Sequence, residues 1–69
     1  MNKSYILLRL YDQFRTGKRV KITECCQEYD ISISTFRRYI AFLREYFNEF
    51  FGHEIIYMPQ TSEYMLNTK

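Results

Sequence analysis

The chain has no tryptophan, one proline and two glycines in 69 residues. So few glycines exclude a Gly-rich loop that would cradle phosphates through backbone N–H groups. The only cysteines, Cys25 and Cys26, are adjacent. Neighbouring cysteines rarely bridge each other, because the disulfide would strain the peptide between them, so no disulfide staples this fold. A single histidine, His53, is their only soft companion. That set falls short of four-coordinate zinc, and no metal or other cofactor is expected. The same scarcity argues against catalysis: no Ser or Cys stands with a recognisable base, and the carboxylates are scattered over different segments. No apolar run approaches the ~18 residues that would span a bilayer. The N-terminus does not follow the charged-then-apolar layout of a secretory signal. A cytoplasmic, non-enzymatic protein without a membrane partner is the expectation.

What the chain does have is aromatics, seven tyrosines and six phenylalanines. A chain of this length buries only about 60% of the surface its unfolded form exposes. Large aromatic side chains compensate, because each removes more apolar area from water than Val or Ala does. One domain covering residues 1–69 follows. The net charge is only +2, yet the charges are segregated. Residues 1–21 hold six Lys/Arg against Asp12 alone, 22–36 hold Glu24, Glu28 and Asp30, 37–44 hold three arginines, and 45–63 hold four glutamates. Such segregation is what a one-sided basic surface requires.

Periodicity predicts a first helix over about 4–16, with Ser4 as cap, Leu7, Leu10, Tyr11 and Phe14 as its apolar stripe, and Gly17 as terminator. Arg19–Ile22 alternates basic and β-branched residues and suggests a short third strand. A second helix over about 23–29 packs through Ile22, Cys25, Cys26 and Tyr29. Asp30 closes it, since Asp tolerates the positive φ a tight turn needs. Ile31 then plugs the turn, and Ser32 or Ser34 caps a third helix over about 32–48, whose stripe is Phe36, Ile40, Leu43 and Phe47. Beyond Gly52 the pattern becomes extended, with a hairpin over about 54–67 turning through Pro59-Gln60-Thr61-Ser62. The fold class expected is α+β, mainly α: a winged helix-turn-helix of three helices with a C-terminal β-hairpin wing.

With that order in hand, Val20–Glu45 resembles the N-terminal winged helix-turn-helix of DeoR-type and WYL-associated bacterial transcription regulators. The shared run is Ile31-Ser32-Ile33-Ser34-Thr35-Phe36-Arg37-Arg38-Tyr39-Ile40, with Cys25, Cys26 and Tyr29 at the upstream apolar positions and Glu63-Tyr64-Met65-Leu66 as second wing strand. Three positions depart from the family pattern. Tyr39 stands for an Asp, Asp30 for a turn Gly, and Ser62-Glu63 for a Gly ahead of the wing Tyr. The resemblance implies sequence-specific binding of double-stranded DNA, with the third helix in the major groove.

On the residues themselves, Arg37 and Arg38 match both phosphate oxygens and the guanine edge. Ser34 and Thr35 would anchor a phosphate and cap the helix. Lys18, Arg19 and Lys21 would add backbone contacts, with Arg44 and Thr61 of the wing tip at the margin. An equally concrete rival is a winged helix that docks a protein. It would gain if Arg37 and Arg38 paired internally with Glu24 or Glu28. Phe42, Tyr46, Phe50 and Phe51 lie off the main stripe and cannot all be buried, so self-association or a partner protein is expected there.

Overall fold

The structure, a computed structural model, describes residues 2–68. Its elements are α1 (Lys3–Arg15), β1 (Val20–Lys21), α2 (Ile22–Tyr29), α3 (Ile33–Phe51), β2 (Glu54–Met58) and β3 (Glu63–Asn67). This is the α+β, mainly helical order of a winged helix. In α1 the cap is Asn2 rather than Ser4: its Oδ1 accepts the Tyr5 N–H at 2.9 Å. Ile6, Leu10 and Phe14, four apart, form the buried face. Leu7 and Tyr11, expected on that face, sit half-buried at its shoulder instead. The helix is thus rotated relative to the expected stripe, because Ile6 fills the core more deeply than Leu7. Gly17 does end the helix, at φ 84°. The Lys18 N–H donates to Gln13 O (2.9 Å) and the Gly17 N–H to Phe14 O (3.1 Å), which occupies two of the carbonyls a helix leaves open.

Between α2 and α3 the chain turns through Asp30, in the left-handed region at φ 53°, ψ 52°. The N–H groups of Asp30 and Ile31 both reach Cys26 O, the latter at 3.0 Å. Ile31 packs half-buried against the core, as the turn's apolar plug should. An acidic side chain in that conformation and at a helix C-terminus is unfavourable on both counts. Asp30→Gly is therefore expected to raise stability by about 0.5–1 kcal/mol, after allowance for glycine's larger unfolded-state entropy. Thermal unfolding would show this as a Tm higher by several degrees. A lower Tm would mean that the Asp30 side chain holds the turn.

Ser32 caps α3: its Oγ accepts the Thr35 N–H at 3.1 Å. The helix continues to Phe51, three residues past the expected end. Glu49, Phe50 and Phe51 break the apolar period without breaking the helix, because all three side chains are exposed. The stop comes where Gly52 adopts φ 68° and donates to Asn48 O.

The sheet is antiparallel, in the order β1-β3-β2. Val20 and Lys21 pair with Tyr64 and Glu63, and Glu54–Met58 pair with Asn67–Glu63. β1 is only two residues of the four expected, because at Ile22 the chain already turns into α2. The Ile22 N–H still reaches Ser62 O at 3.1 Å. Ser62 itself has φ 56°, so it occupies a left-handed position where the resembled family carries Gly. The core runs between the helices and one sheet face, with Phe14, Phe36, Phe47, Ile6, Leu10 and Ile40 fully buried. Tyr39 joins it at the position where the family has Asp. Among the described residues no charged or polar side chain is buried, and no helix is long and apolar enough to cross a membrane.

Candidate nucleic-acid interface

Once Phe36, Ile40, Leu43 and Phe47 are committed to the core, helical geometry determines what α3 turns outward. Ser34, Arg37, Arg38, Ala41 and Glu45 follow at steps of three, one, three and four and share one face. All five are exposed. Arg37 and Arg38 make no hydrogen bond and no ion pair among the described residues. Neither is paired with Glu24 or Glu28, where an internal role would have placed them. From Ser34 to Ala41 the face covers about 11 Å of helix axis, close to the width of a B-DNA major groove, about 12 Å. Glu45 and then Glu49 end its cationic character. Charge thus polarises the helix, and only its first two turns suit a polyanion.

The structure divides the other residues expected to bind. Thr35 is committed to the cap: it gives its N–H to Ser32 Oγ, and its own Oγ1 accepts the Ser32 hydroxyl at 3.0 Å. Ser34 remains exposed beside it. Arg44, expected among the free cations, is engaged elsewhere, because its Nη2 donates to Ile55 O at 3.4 Å and ties α3 to β2. Arg19 pairs with Glu63 at 3.7 Å across the sheet, which turns its guanidinium toward the wing while leaving it largely in solvent. Lys21 is half-buried in β1, in register with the same Glu63. Lys18, in the loop after α1, is exposed and has no ion-pair partner among the described residues, and Thr61 is exposed at the hairpin turn. These form two groups rather than one. Ser34, Arg37 and Arg38 lie at the start of α3, while Arg19 and Lys21 lie at the base of the wing. Tyr64 links the groups, since Val20 pairs with it in the sheet and the Phe36 ring lies 5.7 Å from its own.

Sequence reasoning missed Ile33. As the first residue of α3 it is 51% exposed, one turn before Arg37 on the same side of the helix. The available signal was that Ile33 falls outside the Phe36–Ile40 stripe, so an apolar side chain there has no core to enter. Arg9 was missed as well. It bonds the Tyr29 hydroxyl through Nε at 3.4 Å and approaches Glu28 at 4.0 Å, joining α1 to α2.

Cys25 lies in the core and Cys26 packs half-buried against it. Burial, reinforced by Cys26 and the Glu28 carboxylate, pushes the Cys25 thiol up to about 12, and burial also raises Cys26. Both therefore stay protonated near neutrality and are poor nucleophiles. A cleft of about 630 Å³ between α3 and β2 is lined by Arg44, Glu45, His53 and Glu54. Its charges are mixed, and no cluster of metal-ligating side chains occurs among the described residues. Comparison of the chain with protein-family models, curated proteins and solved structures finds no match.

Proposed function

We propose that the chain binds double-stranded DNA through the first two turns of α3, as the DNA-binding part of a cytoplasmic transcription regulator of the kind its helix-turn-helix resembles. One observation carries this reading: Arg37 and Arg38 project from the start of α3, beside Ser34, with no partner among the described residues. Unpaired arginines at the N-terminal half of the second helix of a helix-turn-helix suit phosphate or guanine contact. Ile33 adds an apolar contact of the type that a thymine methyl group accepts. The acidic C-terminal half of α3 would be repelled by phosphates, so the helix enters the groove by its N-terminal end. There its backbone dipole and free N–H groups also favour an anion. Lys18 extends the basic surface. The hairpin turn, Pro59–Ser62, has no charge, so the wing contributes hydrogen bonds without counterion release.

Titration with a random-sequence duplex at several salt concentrations tests the reading. Contact with four phosphates gives a log–log slope of roughly −3 to −4. No binding at low salt would refute it. The rival reading, a protein-docking module, is disfavoured because neither arginine is drawn into Glu24 or Glu28.

A further inference from the structure

Ile33 stands apart from the other large apolar side chains left in solvent. Those belong to α1, to the later turns of α3 and to β2, whereas Ile33 opens α3 and takes no part in the core. A β-branched residue also adds nothing to a helix start that Ser32 already caps, since its side chain loses rotamer freedom there. Neither packing nor helix propensity accounts for Ile33 among the described residues. Its neighbours are the polar side chains of the basic face. Ser34 follows it directly, and Arg37 lies one turn on along the same side of the helix, about 5–6 Å away between Cβ atoms.

Arginines fit a polyanion, so an apolar side chain set among them calls for an apolar group on that same polyanion. The major groove of B-DNA offers one, the thymine 5-methyl group, among base edges that otherwise donate or accept hydrogen bonds. We propose that Ile33 reads this methyl group beside a guanine read by Arg37, so that the sites the chain selects carry thymine next to guanine on one strand; this rests on the DNA-binding reading of α3. Both side chains lie along one side of the helix and so meet bases of one strand, and guanine gives a guanidinium its best base edge through O6 and N7. The length and flexibility of the Arg37 side chain absorb the difference between one helical turn, about 5.4 Å, and one base step, about 3.4 Å. Arg38, about 100° further round the helix, turns away from Ile33 and suits a phosphate.

Fluorescence anisotropy at low salt with three duplexes of repeating sequence tests this. In d(TG)·d(CA) every thymine lies between guanines, so the direction of α3 in the groove is immaterial. The same duplex with deoxyuridine for thymidine lacks only the methyl groups. In d(AG)·d(CT) the composition is unchanged, but thymine lies on the strand opposite guanine. The wild type is expected to bind d(TG)·d(CA) about fourfold more tightly than either of the others, the effect of taking one methyl group out of water. Ile33→Ala, at an exposed site and with better helix propensity, is expected to melt no lower than the wild type and to bind the thymidine and deoxyuridine duplexes alike. That cycle assigns the preference to the contact rather than to the stiffness of the duplex. Wild-type binding indifferent to the methyl groups would overturn the proposal and leave the DNA-binding reading standing. So would a preference that survives in Ile33→Ala, equally tight binding to d(AG)·d(CT), or an Ile33→Ala chain that melts lower, which would place Ile33 in the fold. No binding to any of the three duplexes would instead refute the DNA-binding reading, and the proposal with it.

Discussion

On the proposed DNA-binding reading, a chain carrying Arg37→Ala and Arg38→Ala is expected to lose most of its affinity for duplex DNA while unfolding at the same temperature as the wild type. Each arginine that reaches a base edge or phosphate contributes about 1–3 kcal/mol, so the pair accounts for roughly 30-fold to 10⁴-fold in Kd. The salt slope should flatten by about one for each phosphate contact removed. Fold stability is insulated because neither side chain has a partner among the described residues to lose. Fluorescence anisotropy with a labelled duplex gives the affinity, and thermal melts give the control. Equal affinity in the double variant would refute the groove assignment. A collapsed Tm would make the arginines structural.

The second large effect concerns Phe47. Its ring is 1% exposed and lies 5.3 Å from Tyr11 in a stacked pair. It also meets Phe14 at 6.4 Å and Phe51 at 6.0 Å, so it joins α1 to α3 through aromatic contacts on three sides. Phe47→Ala is expected to cost about 3–5 kcal/mol, from lost burial and the cavity left behind. For a domain of this length the whole stability is on the order of 3–10 kcal/mol, so the variant forfeits about a third of it or more. Phe50→Ala, three residues on but 63% exposed, should change stability by less than about 1 kcal/mol. Urea denaturation of the two variants side by side checks the contrast. A cost below 1 kcal/mol for Phe47→Ala would show that the aromatic cluster re-packs.

The turn at Asp30, the cap at Ser32 and the stripe Phe36–Ile40–Leu43–Phe47 were legible because each rests on chemistry within a few residues. A left-handed turn, a side-chain oxygen at a helix start and a helical repeat all leave local signatures. The rotation of α1 was not legible. Ile6 and Leu7 are both apolar, and only the shape of the surrounding core decides which goes deeper. Helix ends were misplaced wherever exposed aromatics mimicked a break in pattern, as at Phe50 and Phe51. Within the candidate site, the freedom of Arg37 and Arg38 could be expected from their face of the helix. The engagement of Arg44 could not, because its acceptor, the Ile55 carbonyl, belongs to a strand eleven residues away. Arg19 was lost to the site for the same reason, its partner Glu63 lying across the sheet.

The Arg44 contact has a consequence for how the molecule behaves in a crowded solution. β2 is the outer strand of the sheet, since the order β1-β3-β2 leaves one side of it without a neighbour. Its Ile56 and Tyr57 are exposed, so it has both the open backbone and the apolar side chains that let strands from different molecules add to one another. The Arg44 guanidinium occupies the Ile55 carbonyl, an acceptor that an incoming strand would need. Two copies approaching edge to edge would also bring two positive charges together. An arginine engaged within the fold thus works against templated aggregation, keeping the wing a finite hairpin rather than the first rung of a fibre.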